Sequence, residues 1–346
     1  MEGWKLKSGM YSRCDLCDDD IWKIFNYILS NKTTNATSYK FGFLKALLES
    51  SYDVNLNGEI KISDIFIRFS RIYWNLIVKH ELTQCTKMIK GGRSSIGKIF
   101  DKYIDDYPEI STANYDKIPI NIKDKMEKEV FKEGKKYVVG ALYGDSGGEL
   151  YTFSLRENYL KFNPSVLSFL YKHSITLLKI NNLCWIDFLE KVNKKDNCYG
   201  IAEKLHDASK RSSLRIYKDF FFFQFNRCET SCFYCGNKLS YEKVHIDHFI
   251  PWSFIKNDRL WNLVASCPNC NLSKNNRLAD EYYLDKIIYR DNNLKKIDNY
   301  LVNKDFSLYS EKNFRNYYTS AEFCGFDLWN FVKAKGIEIE VDLIKK

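Results

Sequence analysis

The stretch CETSCFYCGNKLSYEKVHIDHFIPWSFIKNDRLWNLVASCPNCNLSK, residues 228–274, decides the organisation of this chain. It contains two CxxC pairs with 31 residues between them, a longer interval than the ~15–20 residues of a simple zinc ribbon. Four thiolates in two such pairs are typical of a closed tetrahedral zinc site. Cys228 competes for the first ligand position, but the CxxC spacing favours Cys232. The predicted zinc ligands are Cys232, Cys235, Cys267 and Cys270.

The interval between the two pairs has room for a β-hairpin. Residues 244–250 are short, β-branched and apolar, and they are predicted to form a strand that ends at Pro251. The second CxxC pair is predicted to open a helix, with Asn269 or Asn271 near its N-terminus. A zinc ion would hold the start of that helix against the hairpin, so the segment is predicted to be a ββα unit.

The predicted strand also carries residues that suit hydrolysis. The carboxylate oxygens of Asp247 suit a hard divalent cation. His248 suits a general base, because an imidazole with an unperturbed pKa near ~6.5 is mostly neutral at cellular pH. Alternate residues of a strand share a face, so His245 and Asp247 point one way and His248 the other. A twist at the strand end is therefore needed for Asp247 and His248 to serve one site.

These residues resemble the HNH endonuclease family, the zinc-containing branch of the ββα-metal nucleases. The family pattern is CxxC, a strand ending in Asp-His followed shortly by Pro, then Asn-Leu, and finally CxxC-Asn-x-x-Lys. The chain fills every position of this pattern within about residues 225–285. The run PWSFIKND after His248 also resembles the corresponding loop of the HNH domain in RNA-guided CRISPR nucleases. The other five sixths of the chain carry no resemblance of this kind.

The resemblance implies a role for each motif residue. Asp247 and Asn271 would bind a catalytic Mg²⁺ or Mn²⁺, and His248 would be the general base. Asn262 would hold the histidine loop and ring in place. The implied reaction is hydrolysis of DNA phosphodiester bonds, one strand per active site, leaving a 5′ phosphate and a 3′ hydroxyl.

Four neighbouring residues have two interpretations each. His245 is either a third metal-facing group or a histidine that hydrogen-bonds the zinc-side loop. Asn275 either contacts metal or phosphate, or is a solvated helix residue. Lys274 and Arg277 are predicted to contact nucleic-acid phosphate, and the alternative is a solvated basic face.

Composition bounds the class of protein. The chain has 346 residues, 45% of them hydrophobic, and a net charge of +9, so it is globular and moderately basic. Only 5 prolines and 16 glycines indicate long regular elements, mostly helices. Eleven cysteines with a metal-type cluster fit a reducing compartment better than a disulfide framework. The N-terminus lacks a signal-type apolar core and no apolar run reaches ~18 residues, which predicts a cytoplasmic protein without membrane association.

The predicted fold class is α+β and predominantly helical. Residues 1–210 are expected to be an α-rich region that binds a target or a partner, and 211–290 the HNH domain. Residues 291–346 are expected to be a helical extension. Helices are predicted within residues 18–29, 39–51 and 62–82, and a β-hairpin within 137–155, where Gly-Asp-Ser-Gly-Gly supplies the turn.

The predicted function is a metal-dependent HNH endonuclease that acts on DNA, with restriction or phage defence as the expected setting by fold-level analogy. One alternative is a zinc-ribbon nucleic-acid-binding or adaptor protein whose nuclease is inactive. Another is a nuclease subunit that a protein partner or a second protomer activates through the N-terminal region.

Overall fold

Helices dominate both halves of the chain. The computed structural model describes residues 5–30, 32, 36–86, 92–207, 213–225 and 230–331. It is 61% helical with small sheets, which confirms the predicted α+β, mostly helical class. The chain divides into two compact units, Met1–Lys210 and Arg211–Lys346. Among the described residues, no helix has both the length and the apolar character that crossing a membrane requires.

The N-terminal unit contains eight described α-helices and one antiparallel sheet. The α-helices are α1 (Asp18–Ile28), α2 (Tyr39–Glu49), α3 (Ile62–Trp74), α4 (Ser95–Asp106), α5 (Ile120–Asp145), α6 (Pro164–Val192), α7 (Lys195–Cys198) and α8 (Ile201–Asp207). A π-helical segment, Asn75–Lys79, continues α3. The sheet has the strand order β1-β3-β4-β2, and its strands are β1 (Ser8–Gly9), β2 (Glu59–Lys61), β3 (Tyr151–Ser154) and β4 (Tyr159–Phe162).

Helix α2 forms the centre of this unit. It packs against α3, α5 and α6, and every one of its residues is buried. Two of those residues are charged, Lys45 and Glu49, and they form an ion pair of 3.2 Å one helical turn apart. A buried charge is tolerated when it has such a partner. Because a whole helix is buried at its centre, the N-terminal unit has its own large core.

The β-hairpin that the sequence predicts within residues 137–155 forms later in the chain. Residues 137–145 belong to α5, and the hairpin is formed by β3 and β4, with Phe153 opposite Leu160. The valines near 138 favour a strand locally, but they continue a buried stripe of period four. That stripe comprises Ile122, Met126, Val130, Gly134, Val138 and Leu142. The Gly-Asp-Ser-Gly-Gly segment ends this helix, with Gly147 and Gly148 at φ +64° and +75°.

The C-terminal unit contains six described α-helices and two small sheets. The α-helices are α9 (Arg215–Asp219), α10 (Trp252–Ile255), α11 (Pro268–Lys274), α12 (Leu284–Leu294), α13 (Tyr300–Phe306) and α14 (Glu311–Phe323). The strands are β5 (His245–His248), β6 (Leu263–Ser266), β7 (Leu278–Ala279) and β8 (Leu328–Trp329). The boundary expected at residue 290 falls inside α12. The last part of the expected C-terminal extension, residues 332–346, lies outside the described residues.

The predicted ββα unit is present. Strands β5 and β6 pair antiparallel, with His245 opposite Ser266 and His248 opposite Leu263. Helix α11 packs on β5. Its N-cap is Cys267 and Pro268 is its first residue, so Asn269 lies near its N-terminus. Proline is favoured there because its missing N–H would have no partner in the helix.

Candidate functional site

The four predicted zinc ligands lie together. The sulfur atoms of Cys232, Cys235, Cys267 and Cys270 all lie within 4.8 Å of one another. A tetrahedral zinc with Zn–S bonds of about 2.3 Å places sulfurs about 3.8 Å apart, and the Cys235 and Cys267 sulfurs are 3.9 Å apart. Burial raises the pKa of the Cys232 thiol, and a bound cation would counter this by stabilising the thiolate. The cluster fits zinc.

Backbone contacts build the two arms of this cluster. The first arm turns at Gly236, whose φ of +74° favours glycine, and the Gly236 N–H donates to the Cys232 carbonyl at 2.9 Å. The Phe233 N–H donates to the carbonyl of Ala265 on β6 at 2.8 Å. In the second arm, the Cys267 sulfur accepts the Cys270 N–H at 3.3 Å. The hairpin and α11 therefore meet at the cysteines. Cys228 lies outside the described residues.

Asp247 is buried on β5 and held by two donors. Its Oδ2 accepts from the Tyr234 hydroxyl at 2.6 Å and lies 3.1 Å from the Lys274 ammonium. No described residue donates to its Oδ1. Burial, together with the nearby Asp247 carboxylate, raises the pKa of Tyr234 well above its ordinary value, which keeps the phenol a donor.

Lys274 differs from the sequence prediction. Its side chain is 0% exposed, and its ammonium donates to the His248 carbonyl at 2.6 Å as well as pairing with Asp247. Burial lowers the pKa of Lys274, and the Asp247 carboxylate opposes that shift. A phosphate contact requires an accessible ammonium, whereas the Lys274 ammonium is enclosed by protein oxygens.

His248 faces the loop that follows β5. Its Nε2 lies 2.8 Å from Oδ1 of Asp258, and the histidine side chain is only 4% exposed. Sequence reasoning did not assign a role to Asp258. The residue lies in the PWSFIKND run, but no periodicity in a loop indicates where its side chain points. The contact depends on how the loop folds back over the strand.

Asn262 holds the start of that loop. Its Oδ1 accepts the Ile250 N–H at 2.8 Å, and its Nδ2 donates to the Ile250 carbonyl at 2.9 Å. The Phe249 N–H donates to the Asn262 carbonyl at 2.8 Å. Asn262 is fully buried, so these bonds satisfy groups that water does not reach. They hold the backbone just after His248.

The exposed side of the site is formed by β5 and α11. The Asn271 amide lies 3.1 Å from Nδ1 of His245, so His245 contacts α11. Asn275 is exposed at the end of α11, and its φ is +49°. Arg277 is half-buried and donates to the carbonyl of Ser273. Carboxylate and amide oxygens from Asp247 and Asn271 are the donor types that a hard divalent cation takes.

Comparison with known proteins supports this assignment. Residues 232–279 match a family model described as HNH endonuclease, which indicates nuclease activity. The match covers less than a sixth of the chain. No curated protein and no solved structure matches the chain. Residues 232–279 therefore carry an HNH endonuclease segment, and the cysteine cluster within it fits a zinc site.

Proposed function

We propose that the protein is a metal-dependent endonuclease that hydrolyses DNA phosphodiester bonds. One observation carries the proposal. Within the segment that matches the HNH family, the four-cysteine cluster and the packing of α11 on β5 bring Asn271 onto the strand that carries Asp247 and His248. A candidate base and a carboxylate on β5, with an amide oxygen on α11, are the groups that metal-assisted hydrolysis of a phosphodiester requires.

In the proposed reaction, His248 accepts a proton from a water molecule as that water attacks phosphorus. The new P–O bond forms as the bond to the 3′ oxygen breaks, and that oxygen leaves as the 3′ hydroxyl after protonation. Asp247 and Asn271 would hold Mg²⁺ or Mn²⁺, which when bound stabilises negative charge on the phosphate and on the leaving oxygen. Asn262 keeps the backbone that follows His248 in place.

The zinc is proposed to be structural. All four cysteines are protein ligands, so the site leaves no open position of the kind that catalytic zinc requires. The N-terminal unit is proposed to select the DNA target or to bind a partner. Restriction or phage defence is the proposed setting, in a cytoplasmic protein, and it rests on analogy between families.

A plasmid-nicking assay with Mg²⁺ or Mn²⁺ tests the proposal. The wild-type protein should nick, EDTA should stop it, and His248→Ala should lower the rate by ~10²–10⁴-fold, the usual contribution of a general base. Zinc content should stay the same in the variant, because His248 is not among the four cysteine ligands.

Two outcomes would contradict the proposal. Nicking by His248→Ala at the wild-type rate would remove the proposed base. Absence of nicking by the wild-type protein, both alone and together with the proteins encoded by the adjacent genes, would favour the inactive zinc-ribbon adaptor. Activity only in the presence of those proteins would identify a partner-dependent nuclease subunit.

A further inference from the structure

The contact between Asp258 and His248 restricts where the imidazole carries its proton. A carboxylate only accepts hydrogen bonds, so the 2.8 Å contact with Oδ1 of Asp258 requires a hydrogen on Nε2 of His248. In the neutral ring the other nitrogen, Nδ1, is then an acceptor. No described residue bonds to Nδ1. The two side chains are 4% and 17% exposed, so water competes weakly for the contact.

The loop that presents Asp258 is anchored at Asp258 itself and at the two residues that follow it. The Tyr217 hydroxyl, from α9, donates to the Asp258 carbonyl at 2.5 Å. The next two residues, Arg259 and Leu260, both contact the buried carboxylate of Asp305 on α13, at 3.4 Å and 3.0 Å. These anchors hold the backbone of Asp258, so its side chain is presented to His248 by a fixed loop.

We propose that Asp258 is a positioning residue for the reaction. It holds His248 with the hydrogen on Nε2, so that Nδ1 is the atom that accepts the proton of the attacking water. Once Nδ1 has taken that proton, the Asp258 carboxylate stabilises the positive ring, as the aspartate does in a serine-protease triad. The inference rests on the proposed function, because it assigns a partner to the base of that reaction.

Kinetics on the full-length, zinc-loaded protein test the inference. Asp258→Ala removes the acceptor, and Asp258→Asn keeps the shape but removes the charge. The turnover number for plasmid nicking should fall by roughly 10–100-fold in Asp258→Ala, the effect typical of losing a histidine's orienting partner, and at least as much in Asp258→Asn, whose amide NH2 can donate to Nε2 and so permits the other tautomer. The KM for DNA should not change. Asp285→Asn is the matched control, because that carboxylate is 85% exposed and pairs with Arg315 on the surface.

Nitrogen-15 NMR of the histidines gives a readout that does not depend on activity. In the wild-type protein, the His248 signals, assigned by their loss in His248→Gln, should show the hydrogen on Nε2. Asp258→Ala should show a mixture of both tautomers. Zinc content and melting temperature establish that each variant is folded, and Asp258→Asn serves if Asp258→Ala does not fold.

Either of two results would overturn the inference. One is a wild-type His248 with its hydrogen on Nδ1. The other is a folded Asp258 variant, with zinc, that has the wild-type turnover number and the wild-type tautomer. If the wild-type protein does not cut DNA at all, the proposed function fails, and the NMR result still decides whether Asp258 sets the tautomer.

Discussion

At the scale of single residues, the pairing of Asp247 with Lys274 organises the site. Two opposite charges are buried together on β5 and α11, and neither is accessible enough for water to replace its partner. The Lys274 ammonium and the Tyr234 hydroxyl both hold Oδ2, which leaves Oδ1 as the oxygen available to a cation. Lys274 therefore acts inside the fold, on the geometry of the proposed metal ligand.

Lys274→Met tests this structural role. The substitution keeps the aliphatic stem but leaves the Asp247 carboxylate buried without its counter-charge, so we expect the free energy of unfolding of the C-terminal unit to fall by about 3–5 kcal/mol. Arg277→Met is the control, because Arg277 is half-buried and has no ion pair among the described contacts. It should cost less than about 1 kcal/mol.

The urea concentration at which zinc is released, followed with a chromophoric chelator, reports the stability of the unit that contains the cysteines. A wild-type midpoint for Lys274→Met, combined with weaker DNA binding, would instead support the phosphate contact expected from the sequence.

At the scale of elements, α11 combines two functions in seven residues. Lys274 follows Asn271 by three positions and Cys270 by four, so one side of the helix carries a zinc ligand, a proposed cation ligand and the buried ammonium. A helix this short is not stable by itself in water. We infer that zinc at its N-terminus and packing on β5 hold it in place.

The zinc prediction follows from this dependence. Elemental analysis should find one tightly held zinc per chain. Cys267→Ser should lose it and yield an insoluble or locally unfolded C-terminal unit, because structural zinc contributes folding free energy directly. The serine hydroxyl can still cap α11, so the variant isolates the loss of a ligand from the loss of the cap. Cys14→Ser, at an exposed thiol of the other unit, should keep the zinc. Active, folded protein without zinc would contradict the ligand assignment.

At the scale of the whole molecule, the division into two units separates recognition from chemistry in our proposal. The N-terminal unit buries its own aromatic core around α2 and α3, including Phe69, Tyr73 and Trp185. The C-terminal unit carries the HNH segment. A small ββα unit meets mainly phosphate, and phosphate contacts carry no sequence information.

A fragment of residues 205–346 tests that division of labour. It should keep zinc and nick plasmid in a cation-dependent way, since it contains the cysteines, Asp247, His248 and Asn271. We expect it to cut weakly and without selectivity, because the unit proposed to choose the target is missing. Cleavage patterns of the fragment and the full chain on the same plasmid provide the measurement. Full selectivity in the fragment would mean that the N-terminal unit is only a scaffold.

Several features were determined by the sequence alone. The two CxxC pairs predicted the cysteine cluster, because ligand spacing in a zinc site is a local property of the chain. Apolar periodicity predicted α1 and α3, since an amphipathic helix records its buried face in its own residues. Helix α2 was also predicted, although all of its residues are buried. The strand that carries Asp247 and His248 was predicted from its short β-branched, apolar run, and the helix after it from asparagines near its N-terminus.

Other features were decided only by tertiary structure. The residues near Val138 favour a strand locally, but burial of Val138, Val139 and Leu142 in the core keeps them in α5, and the hairpin forms further along. The burial of Lys274 and the contact of Asp258 with His248 depend on which side chains the fold brings together from distant positions. Local patterns record which face of an element is buried, but not which charge it meets there, because that partner lies on another element.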